Sequence, residues 1–122
     1  MRLLLLLPAL AVSAAAPDVS AVPVQTIGLA SYSFTPNPIS LAADREVTLK
    51  FVNTSTHGHD FTAPEFFAAS RMVAGSAPGG KVDVNGGEAE TVTLIPSAGE
   101  YRVHCGRPFH SALGMHAKIE VR

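Results

Sequence analysis

A thiol, an imidazole and a thioether fall within one short stretch near the C-terminus: Cys105, His110 and Met115, in YRVHCGRPFHSALGMHAKIEVR. Cys105 is the only cysteine of the 122-residue chain. These are soft or borderline donors, a set that favours copper over calcium, magnesium or manganese. One loop carrying all three can wrap a single ion if a second histidine arrives from elsewhere. His57 and His59 are the candidates. His59 is followed by Asp60-Phe61, where strand character resumes, so it is the more firmly placed; His57 lies mid-loop. Two histidines, a cysteine and a weak axial methionine make up the ligand set of electron-transfer copper sites. The metal ligands expected are therefore His59, Cys105, His110 and Met115, around one copper ion.

The elements around them must be strands. Val47, Leu49 and Phe51 alternate with Thr48, Lys50 and Val52 in the clearest period of two, over Glu46–Asn53. Tyr101, Val103 and Cys105 share one face of a strand over Glu100–Cys105, which aims the sulfur inward and His104 outward. Ala117, Ile119 and Val121 mark a last strand directly after Met115. Further strands are expected over Gln25–Phe34, Ile39–Ala42, Lys81–Val84 and Glu90–Ile95, and from His59 onward. Thr35-Pro36-Asn37-Pro38 and Asn85-Gly86-Gly87 are turns. Pro64–Met72 reads as a short helix, and His116 as exposed. Seven or eight short strands predict an all-β Greek-key sandwich or barrel.

The N-terminus reads as a secretory signal over residues 1–15. Arg2 is its basic region, Leu3 to Val12 its apolar run, and small residues follow. The apolar run is too short for a transmembrane helix, so no membrane span is expected after its removal. Residues 16–24 form an Ala/Pro/Ser-rich lead-in, and 25–122 one metal-binding domain. The expected location is periplasmic or secreted. A formal net charge of −1 with no basic cluster argues against nucleic acid. A lone thiol is a hazard in an oxidising compartment, and ligation to a metal would remove it.

At these residues the chain resembles the cupredoxin family, the small type 1 blue copper proteins such as plastocyanin, pseudoazurin and azurin. The resemblance rests on Cys105-x4-His110-x4-Met115 after an aromatic-x-Val-x-Cys strand, and on the upstream Gly58-His59-Asp60-Phe61. It implies a Cu(I)/Cu(II) electron carrier, with Cys105 as thiolate ligand, His59 and His110 as imidazole ligands and Met115 as axial thioether. Two positions depart from the family: Asp60 stands where many members have Asn, and Gly106 where many have Ser or Thr. The usual hydrogen bond between the ligand loops is then missing or replaced.

Apolar neighbours of His110 (Pro108, Phe109, Ala112 and Leu113) would frame its exposed edge for transient docking of redox proteins. A monomer is expected. The alternative is a copper protein for storage, delivery or resistance, without a redox circuit. An enzyme is not expected, because copper oxidases need further histidine-rich centres and more chain than five histidines in one domain supply.

Overall fold

The computed structural model describes residues 4–5, 8–9 and 21–122. Most of the predicted signal and lead-in lies outside the described residues. Among the described residues, ten strands form two five-stranded sheets. In chain order they are β1 (Val24–Ala30), β2 (Ser33–Thr35), β3 (Ile39–Leu41), β4 (Val47–Asn53), β5 (His59–Thr62), β6 (Arg71–Ala74), β7 (Lys81–Val84), β8 (Ala89–Ile95), β9 (Gly99–His104) and β10 (His116–Val121). One helix, α1 (Pro64–Ala69), follows β5. The first sheet runs β2-β1-β4-β8-β6 and the second β3-β10-β9-β5-β7. Most neighbours are antiparallel, but β1 runs parallel to β4 and β3 parallel to β10. The chain is the β-sandwich its alternation predicts, with more strands than expected.

Two of the extra strands have simple origins. The segment expected as one strand, Gln25–Phe34, folds back at Ser31 and Tyr32, so that Gly28 pairs with Thr35. The inward positions change parity across this reversal: Ile27 and Leu29 reach the core from odd positions and Phe34 from an even one. The helix expected over Pro64–Met72 stops at Ala69, and Arg71–Ala74 becomes an edge strand against β8. All four β6 residues are exposed, so no buried face repeats to announce a strand.

The two inner faces meet in an aromatic core. Phe61 sits at its centre, fully buried, with ring centroids 4.7 Å from Phe51, 5.7 Å from Phe34 and 5.9 Å from Phe67. Phe66 packs edge-on against Tyr101 at 5.5 Å, and the Tyr101 hydroxyl donates to the Ser97 carbonyl at 2.9 Å. Buried rings in this arrangement contribute beyond their area. Phe61 is two residues from His59 on the same short strand, and Val103 two residues from Cys105. The core therefore fixes the strands that carry both side chains.

Candidate metal centre

His59 opens β5, Cys105 directly follows β9, and Met115 directly precedes β10. His104 and His116 pair across β9 and β10, so the Cys105–Met115 loop leaves and returns through adjacent strands. Alternation makes Val103 and Cys105 inward on one strand and Ala117 and Ile119 inward on the other. His59, Cys105 and Met115 are all buried, and His110 is half-buried.

Hydrogen bonds set each ligand segment. Asn53, buried at the end of β4, donates from its amide to the carbonyls of His57 and Val84 at 2.8 and 2.9 Å. Its side-chain oxygen accepts from the Ser55 N–H at 3.0 Å. This bracket shapes residues 54–58 and delivers His59 to the strand. In the second loop, the Met115 N–H donates to the His110 carbonyl at 3.0 Å and the Cys105 N–H to the Met115 carbonyl at 3.1 Å. Gly114 allows the return with a φ of 101°, which L-side chains rarely adopt.

The donors converge. His59 Nδ1 and His110 Nδ1 are 3.1 Å apart, Cys105 Sγ is 3.4 Å from His110 Nδ1, and Cys105 Sγ is 3.9 Å from His59 Nδ1. Nitrogen and sulfur donors bound to one ion at about 2.0–2.3 Å in a trigonal arrangement sit roughly 3.5 Å from each other. The observed triangle has that size. His57 is exposed and outside it. Met115 is fully buried and tied to both Cys105 and His110 by the backbone bonds above.

Supporting groups hold the donors in place. His59 Nε2 lies 3.2 Å from Ser31 Oγ, which fixes the ring and leaves Nδ1 facing the triangle. Orienting bonds of this kind also set a ligand's basicity. The Asp60 N–H donates to the Cys105 sulfur at 3.4 Å. The Asp60 carboxylate accepts from the Gly106 N–H and from the Thr62 hydroxyl, both at 2.6 Å. The link between the ligand loops, expected to be missing or replaced, is thus replaced. Tyr32 stands edge-on to His110, ring centroids 5.1 Å apart. Ser31 and Tyr32 had no signal in the sequence as site residues, because only the reversal after β1 brings them to this end.

Burial pushes the His59 imidazole below its ordinary pKa, and the nearby His110, Arg107 and His57 push it the same way; Asp60 opposes them. Its neutral, metal-binding form is therefore favoured. Arg107 lies over Gly58, where a methyl group would fall 2.5 Å from the guanidinium Nη2. On the outer surface, Phe109 and Leu113 are 80 % and 57 % exposed beside His110. The soft thiolate, two imidazoles and a thioether fit one type 1 copper ion and no oxygen-preferring cation.

Comparison with known proteins agrees with this geometry. The profile of the cupredoxin-like domain matches residues 2–121. No curated protein matches the sequence significantly. Auracyanin A, a "blue" copper protein from Chloroflexus aurantiacus, superposes with a TM-score of 0.60 at 20 % identity, covering 84 % of this chain and 100 % of its own. Auracyanin from Roseiflexus castenholzii gives 0.62 at 18 % identity, with coverages of 84 % and 98 %. The multicopper oxidase McoA of Aquifex aeolicus gives 0.65 at 14 % identity, covering 88 % of this chain. The chain spans only 31 % of that oxidase. At these identities the similarity is one of fold. No helix among the described residues is long and apolar enough to cross a membrane.

Proposed function

The chain belongs to the cupredoxin-like family, and from that premise we propose that it is an exported one-electron carrier whose copper is held by His59, Cys105, His110 and Met115. The convergence of His59 Nδ1, His110 Nδ1 and Cys105 Sγ in a buried pocket carries this reading. A copper ion bound there supplies reversible one-electron chemistry. The chain's own contribution is to keep the donors still. Each comes from a strand end or from the tightly hydrogen-bonded loop between two strands, and Asp60 joins the two segments. Such a pocket changes little when the charge at its centre changes.

His110 is the only half-buried member of the donor triangle and the route by which an electron reaches the surface. Tyr32 braces its ring, while Phe109 and Leu113 offer apolar area around it. That patch suits a redox protein that docks briefly, because small interfaces release quickly. The buried thiolate favours this reading over storage or delivery, which call for exposed and exchangeable donors. Export follows from Arg2, the apolar run Leu3 to Val12 and the small residues after it. The proposed organisation is a signal over residues 1–15, a lead-in over 16–24 and a monomeric copper domain over 25–122.

Voltammetry of the copper-loaded protein tests the carrier role. A reversible wave of one electron per chain, lost in Cys105→Ser, is the expected result. Irreversible loss of copper on reduction would point instead to delivery.

A further inference from the structure

On the outward side of the strands that carry Cys105 and Met115 lies a second pair of imidazoles. Val103, Cys105, Met115 and Ala117 are buried, so the intervening His104 and His116 are exposed. Their Cα atoms are direct partners in the antiparallel ladder. The adjoining pair, Cys105 and Met115, carries the ladder bond, from the Cys105 N–H to the Met115 carbonyl. His104 and His116 therefore form the closer, non-hydrogen-bonded type of pair, with Cβ atoms about 4.5–5.5 Å apart. Two imidazoles rooted this close can each turn one nitrogen onto a single ion at about 2.0–2.1 Å.

The pair opens into a groove of about 650 Å³ that also has Asn37, Ser111, Arg102 and Lys118 in its walls. The Asn37 side-chain oxygen accepts from the Lys118 N–H at 3.4 Å, which keeps that amide beside the β10 backbone. Histidine-ring hydrogen bonds among the described residues belong to His59 and His110, so neither ring of the outer pair is engaged. Lys118 Nζ is held by Glu100 Oε1 at 3.1 Å. The outward row beyond the pair consists of the acids Glu100 and Glu120 and the bases Arg102 and Lys118. Of the two bases in the groove wall, Lys118 is thus neutralised and Arg102 is not, since Glu120 pairs with Arg122 at 3.6 Å.

We propose that His104 and His116 form a second, surface site for a divalent transition-metal cation that prefers imidazole, namely Cu²⁺, Ni²⁺ or Zn²⁺. Water and the side-chain oxygen of Asn37 or Ser111 complete the coordination. The site shares no donor with the buried centre, although one peptide joins His104 to Cys105 and another joins Met115 to His116. It stands whether or not the buried centre carries electrons.

Calorimetric titration of the copper-loaded protein with Ni²⁺ tests it, with the visible band of the buried copper recorded alongside. The expected result is one equivalent of Ni²⁺ that binds roughly tenfold or more weakly in His104→Ala and in His116→Ala. His57→Ala should bind as the parent does, and the band should persist in all three. In the Cys105→Ser background the equivalent that depends on His104 should remain, which separates this site from the buried one. Absence of any added equivalent, or binding that survives in the His104→Ala/His116→Ala double variant, would overturn the proposal.

Discussion

The Asp60 carboxylate accepts the Gly106 N–H at 2.6 Å and so joins the strand that begins at His59 to the loop that begins at Cys105. The same oxygen holds the Thr62 hydroxyl, and the Asp60 N–H reaches the Cys105 sulfur. One buried residue thus orients both ligand segments. Asp60→Ala leaves the Gly106 and Thr62 donors without their acceptor, a loss of about 1–3 kcal/mol. Asp60→Asn keeps an acceptor and should cost less. Thermal unfolding of the three proteins ranks them; equal midpoints would show that the link contributes nothing.

His59 and His57 differ by position rather than chemistry. The first is buried 3.1 Å from His110 Nδ1, and the second is exposed outside the triangle. Copper affinity should therefore collapse in His59→Ala and change little in His57→Ala. Ser31→Ala, which frees the far side of the His59 ring, should fall between them, roughly 10-fold weaker than the parent. Competition with a chelator of known affinity reads the order, and equal effects of the two histidine variants would contradict it.

The metal-free protein should lose stability in mild acid. His59 has its pKa lowered from 6.5 by folding, first through burial. Between 6.5 and the lower folded value the unfolded chain binds the proton and the folded chain does not. The contribution is complete above 6.5 and is lost as pH falls through that window, at most about 1.4 kcal/mol per pH unit. Urea unfolding of the apo protein across this range should show the slope, and His59→Gln should flatten it. An unchanged slope in the variant would assign it to other groups.

Phe61 couples the core to the centre. Its ring touches three other phenylalanines, and its strand starts at His59. Phe61→Ala should cost about 3–5 kcal/mol, measured by chemical denaturation. A cost below about 1 kcal/mol would mean that the site rests on something other than this core.

The convergence of His59, Cys105 and His110 was legible in the sequence because their chemistry is rare in combination and strand alternation aims Cys105 inward. Supporting groups were harder to see. Asp60 and Gly106 looked like departures, because a backbone N–H leaves no mark in a sequence and Gly106 contributes nothing else to the bond. Ser31 and Tyr32 mark where the inward parity changes, from Ile27 and Leu29 to Phe34, and a single strand read over Gln25–Phe34 runs past that change. The first half of the edge strand, Arg71 and Met72, reads as the end of the helix expected over Pro64–Met72, since with both its faces exposed the strand has no hydrophobic period. The outer histidines illustrate the converse: alternation placed His104 outside, but only the register set it opposite His116.

The visible spectrum of the Cu²⁺-loaded protein tests the central claim most directly. A thiolate bound to Cu²⁺ in this pocket should give an intense charge-transfer band that disappears in Cys105→Ser. A colourless protein that retains Zn²⁺ and shows no such band with Cu²⁺ would contradict the assignment of the centre.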